Sequence, residues 1–259
     1  MPAAPSPYPS PPQTGERGPQ TGPLSLDQRE ISSQMTAHTR EPQYQSCVDI
    51  RDQFGLTTLG LMTNQAWRDD PRHLLFVLSR YKFAAKMLSG RKRVLEVGCA
   101  DAFATRLVQQ TVEKVVAIDF DPVFVEDVRS RFDARWPLEC HQHDMLSGPF
   151  GSGFDAAYSM DVLEHIPAEH EQAFLGNIVR SLTPDGVLLI GTPSLESQQY
   201  ASAPSRAGHV NCKSAPDLKR VMEQFFGQVF LFSMNDEVVH TGFHGMAHYL
   251  FALGAGPRH

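Results

Sequence analysis

Residues 94–102 read VLEVGCADA, and this stretch decides the fold class of the chain. Its first four residues form a short, largely apolar run that is typical of a buried strand. Gly98 follows the run at once, and a glycine lets the backbone turn tightly beside a ligand. Ala100 and Ala102 keep the approach to the turn open because their side chains are small. The stretch therefore predicts a strand, a tight turn and then a helix.

Strand and helix signals alternate from this stretch to the end of the chain. Apolar runs predict seven strands, at residues 93–97, 115–118, 138–141, 154–160, 187–190, 229–232 and 247–253. Helical patterns are found at residues 103–110, 122–132, 169–182 and 215–226. This alternation predicts an α/β fold with a mostly parallel sheet that is covered on both faces. A loop without a helix separates the last two strands, so we expect them to pair antiparallel at one edge.

The chain is predicted to have three regions. Eight of its 19 prolines fall within the first 23 residues, where apolar residues are sparse, so residues 1–40 are expected to form a disordered tail. Residues 41–90 are expected to form a helical cap, whose main helix follows an Asp70-Pro71 start and ends near Gly90. Residues 91–255 form the predicted ligand-binding domain. The sequence leaves both Met1 and Met35 open as the start of translation.

Composition excludes several classes of function. The net charge is −6, so a nucleic acid is a poor candidate for the partner and a small molecule is favoured. The four cysteines are scattered without a CxxC pair, which indicates reduced thiols and no metal site. No apolar run is long enough to span a bilayer, and no secretory signal is evident, so a cytoplasmic location is expected. The sequence leaves the oligomeric state open.

The carboxyl ends of the predicted strands carry the candidate ligand-binding residues. Asp119 ends the second strand about 20 residues after Gly98, where nucleotide-binding folds place an acid that accepts hydrogen bonds from ribose hydroxyls. Asp144 follows the third strand and is suited to accept from an adenine amino group, while Met145 is suited to cover the ring. Asp144 would serve equally well as an aspartate that caps a loop. Ser159 and Met160 end the fourth strand.

These segments together resemble the class I methyltransferases that depend on S-adenosylmethionine (SAM), of the small-molecule type found in ubiquinone biosynthesis. The resemblance covers roughly residues 82–195. It rests on the LEVGC run at residues 95–99, on Asp119 and Asp144, on DVLEHI at residues 161–166 and on LTPDG at residues 182–186. Each motif alone is common, whereas five in this order at strand ends are specific. The resemblance implies a Rossmann-like fold with seven strands, one of them an antiparallel edge strand, and SAM as cofactor.

The resemblance also implies roles for individual residues. The backbone near Glu96, Gly98 and Ala100 would hold the methionine part of SAM. Asp119 would hold the ribose, Asp144 and Met145 would frame the adenine, and Ser159 and Met160 would line the wall near the sulfonium. The family usually has glycine in place of Ala100 and Ala102, so the two methyl groups are expected to crowd the turn without abolishing binding.

His209 is the candidate catalytic base, and the reaction class has two alternatives. A histidine titrates near neutral pH, and His209 follows the fifth strand, where this family often builds its substrate site. The first alternative is an NAD-dependent oxidoreductase, but its glycine pattern would place Phe103 where the third glycine belongs. The second is a non-catalytic protein that binds a partner through the same fold. A methyl transfer to a small molecule, with oxygen as the favoured acceptor atom, is the preferred hypothesis.

Overall fold

The computed structural model describes residues 37–131 and 133–259. Residues 1–36 of the predicted tail lie outside the described residues, and so does Phe132 at the end of a predicted helix. The chain divides into two compact units, of which the first ends at Leu56 and the second covers Thr57–His259. This division falls inside the region predicted as a helical cap. The first unit contains helix α1, Gln45–Phe54, which follows a short 3-10 turn.

The second unit contains the sheet and the remaining helices. Its helices are α2 (Leu61–Asp69), α3 (Pro71–Met87), α4 (Thr105–Gln109), α5 (Pro122–Ser130), α6 (Glu171–Ser181), α7 (Ala203–Gly208) and α8 (Ala215–Met222). Its strands are β1 (Arg93–Val97), β2 (Lys114–Asp119), β3 (Glu139–Gln142), β4 (Phe154–Met160), β5 (Leu182–Pro193), β6 (Phe226–Asn235), β7 (Val238–His240) and β8 (Tyr249–Pro257). None of the helices among the described residues is long and apolar enough to cross a membrane.

The strands form one mixed sheet in the order β3-β2-β1-β4-β5-β8-β6-β7. The first five pair parallel, which confirms the predicted α/β class. Strand β8 pairs antiparallel with both β5 and β6, so the predicted antiparallel pairing of the last two long strands is confirmed. The described residues contain eight strands where the sequence predicted seven. The additional strand, β7, forms a hairpin with β6 around Asp236, and its three residues are too few to show a strand period.

Helices cover both faces of the sheet, and the alternation of side chains along β1 shows why the strands read as apolar. Leu95 and Val97 pack on the face that also carries α6 and α8. Val94 packs on the opposite face, against α3 and α4. A strand that is buried on both faces needs apolar residues at nearly every position. Glu96 is the exception in β1, since it is only 1% exposed and lies among these apolar residues.

Helix α3 begins and ends where the sequence predicts. The Asp70 side chain accepts a hydrogen bond from the backbone N–H of His73 (3.4 Å), and Pro71 occupies the first turn. Gly90 has a φ of 80°, which suits the chain reversal after the helix. Helix α4 is shorter than the predicted range of residues 103–110, since it begins at Thr105 and ends at Gln109.

Candidate functional site

A large cavity lies at the carboxyl ends of the parallel strands, within the second unit. Its volume is about 840 Å³, which is within the range of cavities that bind small molecules. Loops that follow β1, β2, β3, β4 and β5 line it, and helices α2 and α3 add residues such as Met62 and Leu74. Parallel strands converge at this edge, so residues far apart in sequence meet around one space.

The predicted turn after β1 forms one wall of the cavity. Gly98 has a φ of 75°, and the backbone N–H groups of Gly98 and Cys99 both donate to the carbonyl oxygen of Ile118. A Cβ atom added to Gly98 would lie 2.3 Å from Cγ2 of Val162, in the loop that follows β4. Glycine is required here both by the left-handed backbone and by the close approach of this second loop.

The two alanines of the turn also adopt left-handed backbone conformations. Ala100 has a φ of 46° and Ala102 a φ of 49°, a region that costs a residue with a Cβ about 1–2 kcal/mol. The expected crowding by their methyl groups is therefore accompanied by backbone strain, which a glycine at either position would avoid. The sequence showed the substitution but not the dihedral angles.

Replacement of Ala100 by glycine is expected to stabilise the protein. Glycine adopts this backbone conformation without strain, so the free energy of unfolding should rise by about 1 kcal/mol. Ala104 is the matched control, since its φ of −77° is ordinary and its methyl group is buried in the core, so Ala104→Gly should lower the same free energy. Urea denaturation measures both changes. A loss of stability in Ala100→Gly that equals the loss in Ala104→Gly would contradict the assigned strain.

Asp119 lies at the end of β2 and faces the cavity. Its side chain is buried, with Oδ2 accepting from the N–H of Ala100 (2.8 Å) and Oδ1 accepting from the N–H of Asp121 (3.0 Å). A carboxylate has about four acceptor positions, so each oxygen keeps capacity for a further hydrogen bond. The residue joins the ends of β1 and β2 and still presents acceptors to a ligand.

Asp144 and Met145 line the same cavity from the loop after β3. Met145 is buried, and its thioether is available to cover a planar ring. Oδ1 of Asp144 accepts a hydrogen bond from the N–H of Leu146 (2.8 Å). Asp144 therefore caps its own loop, which is the alternative role that the sequence left open. Met160, which ends β4, also lines the cavity.

Glu96 and Ser159, which the structure describes fully, do not line the cavity. The Glu96 carboxylate accepts hydrogen bonds from the hydroxyls of Tyr81 (2.9 Å) and Thr105 (2.7 Å). Burial raises the pKa of Glu96 to about 7. The Ser159 hydroxyl donates to the carbonyl oxygen of Val97 (2.9 Å). The two side chains therefore lie behind the cavity wall. Glu96 joins β1 to helices α3 and α4, and Ser159 joins β4 to β1.

The loop after β4 carries a charged group that the sequence motif did not resolve. Asp161 has a φ of 57°, and both its carboxylate oxygens lie 2.8 Å from Nη1 of Arg80 in α3. The Arg80 guanidinium also lies 4.0 Å from the centroid of the Tyr249 ring. The sequence could have indicated Arg80 as part of a buried ion pair, because a charged residue on the apolar face of helix α3 needs a buried partner of opposite charge.

Glu164 follows in the same loop and is 1% exposed. Its Oε2 atom accepts from the Thr192 hydroxyl (3.1 Å), and burial, followed by the charge of Asp161, raises the pKa of Glu164 to about 8. The backbone carbonyl of Glu164 accepts from the N–H groups of Val210 and Asn211. These two bonds bring the segment around residue 209 to the loop after β4.

His209, the predicted catalytic base, lines the cavity next to His165. The two ring centroids are 5.1 Å apart, and the rings are nearly perpendicular. Nδ1 of His209 lies 2.8 Å from Oε1 of Gln198, and Nδ1 of His165 lies 2.9 Å from the carbonyl oxygen of Gly208. Burial, and then the neighbouring His165, lower the pKa of His209. Its ring is therefore neutral at physiological pH.

The cavity thus has two halves of different character. The half below β1, β2 and β3 contains the left-handed turn, Asp119, Asp144 and Met145, which are suited to a nucleoside. The half below β4 and β5 contains Arg80, Asp161, Glu164, His165 and His209, which are polar or titratable. The first half could hold a nucleoside cofactor, and the second could hold the group on which it acts.

Comparison with known proteins finds similarity to methyltransferases in the region that contains these loops. A family model described as a methyltransferase domain matches residues 94–186. Over 145 residues the chain is 25% identical to a probable S-adenosylmethionine-dependent methyltransferase of Mycolicibacterium smegmatis, a match that covers 55% of this chain and 54% of that protein. The chain therefore spans about half the length of this relative. The family model, which matches residues 94–186, covers the turn after β1 and the loops after β2 and β3, and it also covers the loop after β4.

Two further comparisons concern a relative and a solved structure. Over 171 residues the chain is 27% identical to the ubiquinone biosynthesis O-methyltransferase of Xanthomonas campestris, covering 62% of this chain and 70% of that protein. The N-methyltransferase NodS from Bradyrhizobium japonicum, solved with S-adenosyl-L-homocysteine (SAH), superimposes with a TM-score of 0.53 at 21% identity, over 74% of this chain and 92% of that one. At this identity the structural match supports the fold alone.

Proposed function

Because the chain belongs to the class I SAM-dependent methyltransferases, we propose that it transfers the methyl group of SAM to a small-molecule acceptor, preferably to an oxygen atom. The observation that carries the proposal is the position of Asp119. Its buried carboxylate meets the cavity beside the left-handed turn of residues 98–102, with acceptor capacity left for two ribose hydroxyls. NAD also uses an acid at this point, but its third glycine is replaced here by Phe103, which favours SAM.

The residues of the nucleoside half fit SAM. Asp119 holds the ribose, Asp144 and Met145 frame the adenine, and the backbone of Gly98 and Ala100 faces the methionine part. The cofactor supplies a methyl group that its sulfonium already activates. The protein must therefore align the acceptor and exclude water, which the buried cavity walls achieve.

The acceptor half supports a hydroxyl substrate. An acceptor hydroxyl must lose its proton during the transfer, and the neutral ring of His209 is a group that can accept it. The ubiquinone biosynthesis relative is named as an O-methyltransferase, which also supports oxygen as acceptor atom. The size of the cavity and the negative net charge of the chain favour a small molecule over a nucleic acid.

Cofactor choice is tested by thermal unfolding. At a concentration about 100 times its Kd, SAH should stabilise the protein by about 2.7 kcal/mol and raise the Tm by several degrees. NAD⁺ at the same concentration should leave the Tm unchanged. Its pyrophosphate needs a turn with three glycines, and Phe103 stands in place of the third. A rise in Tm with NAD⁺ and none with SAH would favour the oxidoreductase alternative.

Activity is tested by the release of SAH in the presence of candidate acceptors. The chain should be incubated with SAM and with matched pairs of hydroxyl and amine compounds on the same ring or chain. We expect SAH to form with a hydroxyl member and not with its amine partner. Formation of SAH only with amines would overturn the preference for oxygen. If the chain binds SAH tightly but forms no SAH from SAM with any acceptor, the non-catalytic alternative is favoured.

A further inference from the structure

The loops after β4 and β5 bring together three side chains that can bind a metal ion. One potential ligand atom from each of Glu164, His165 and His209 lies within 4.8 Å of the other two. Metal–ligand bonds to histidine nitrogen and carboxylate oxygen are about 2.0–2.2 Å long, so a cation between the three needs only small side-chain movements. The sequence predicted no metal site, since His209 is separated from the other two by more than 40 positions.

The hydrogen bonds of the two histidines prepare them as ligands. Nδ1 of His165 lies beside the backbone carbonyl oxygen of Gly208, and Nδ1 of His209 lies beside the side-chain carbonyl oxygen of Gln198. A carbonyl oxygen only accepts, so each Nδ1 must carry the proton and each Nε2 keeps a free lone pair. Histidines that bind metals typically donate their other ring nitrogen in this manner. Two rings with the same arrangement are more than a chance feature of a solvated loop.

Glu164 completes the set of ligands. It is buried with Oε2 bound to the Thr192 hydroxyl, which leaves Oε1 for a further partner. Arg80 is engaged by both oxygens of Asp161 and therefore does not pair with Glu164. A metal ion that binds Oε1 would displace any proton on this carboxyl group, because metal ligands bind in their deprotonated form.

We propose that Glu164, His165 and His209 bind one divalent transition-metal ion in the acceptor half of the cavity. Two imidazoles and one carboxylate match the preferences of Zn²⁺ or Co²⁺ better than those of Mg²⁺, which requires oxygen ligands. Three protein ligands leave a coordination position open towards the cavity, as in metal sites that act on a substrate.

The metal changes the role of His209. A histidine that binds a metal through Nε2 cannot accept a proton there, so His209 would serve as a ligand instead of a base. An acceptor hydroxyl bound at the open position would release its proton to water more readily, because the cation lowers its pKa, and the resulting oxygen would take the methyl group as SAH leaves. This part of the inference rests on the proposed methyl transfer, whereas metal binding itself does not.

The test is calorimetric titration of Zn²⁺ into the full chain, prepared without a histidine tag and freed of metal with a chelator. We expect one site with a micromolar or lower Kd and no comparable binding of Mg²⁺. His165→Ala and His209→Ala should each weaken Zn²⁺ binding by at least about 100-fold, and Gln198→Ala by about 10-fold, because it removes only the partner that orients the His209 ring. His170→Ala, which removes an exposed histidine outside the cluster, should bind as the unchanged chain does.

Binding of SAH to each variant provides the control for folding. All four variants should bind SAH within about threefold of the unchanged chain, because none of the four residues is assigned to the nucleoside half. Absence of a stoichiometric Zn²⁺ site would overturn the metal proposal, and so would a Zn²⁺ affinity in the His165 and His209 variants equal to that of the unchanged chain. If SAH still binds in either case, the proposed function is not affected. Zn²⁺ binding in a chain that does not bind SAH would support the metal site and contradict the proposed function.

Discussion

Replacement of Asp119 by alanine is expected to weaken the binding of SAH by at least about 100-fold. Two hydrogen bonds from ribose hydroxyls to a charged acceptor would be lost, each contributing about 1.5–3 kcal/mol. The N–H of Ala100 would also lose its partner at 2.8 Å, so the turn after β1 would be held less firmly. Calorimetry with SAH measures the effect directly and does not require knowledge of the acceptor.

Asp121→Ala is the matched control for this substitution. Asp121 is an aspartate two residues further on, whose Oδ1 accepts from the N–H of Val123 at the start of α5. Its loss should lower the free energy of unfolding by about 1 kcal/mol through the helix cap and leave SAH affinity nearly unchanged. Equal affinity for SAH in the Asp119 variant and in the unchanged chain would remove the basis for the ribose assignment.

Replacement of Gly98 by alanine is expected to lower the free energy of unfolding by about 3–5 kcal/mol. Part of this cost is the φ of 75°, which alanine adopts only with strain. The larger part is the contact between the new Cβ and Cγ2 of Val162, which would be only 2.3 Å apart. A shift of either loop would also displace cavity walls, so SAH affinity should fall together with stability.

A double variant separates the two costs. Val162→Ala removes the atom that the new Cβ would meet, so Gly98→Ala should be less destabilising in a Val162→Ala background than in the unchanged chain. The remaining cost should be close to that of a left-handed alanine, about 1–2 kcal/mol. Urea denaturation of the four proteins gives the coupling energy. Strictly additive effects would show that the close approach of the two loops does not explain the need for glycine.

The parallel part of the fold was predictable because its signals are local. The apolar runs of β1, β2, β4 and β5 and the capped start of α3 each depend on neighbouring residues, and the structure contains all of them. Strand β5 differs most in length, since it covers Leu182–Pro193 where the sequence predicted residues 187–190. Strand β7 was missed because three residues carry no detectable period. The place of β8 between β5 and β6 was also beyond the sequence, since pairing order is decided by which edges remain free after the sheet assembles.

The sequence by itself determined the nucleoside half of the cavity. A glycine turn and an acid at the next strand end are local features, so Gly98 and Asp119 could be identified from the order of the motifs along the chain, and both line the cavity. The sequence offered His209 for the acceptor half, but only the tertiary structure decided how that half is assembled. Arg80, Glu164 and His209 come from three separate segments, and their meeting depends on how helix α3 and the loops after β4 and β5 pack on the sheet. Contacts of this kind are absent from the local pattern because packing, and not residue order, brings the charges together.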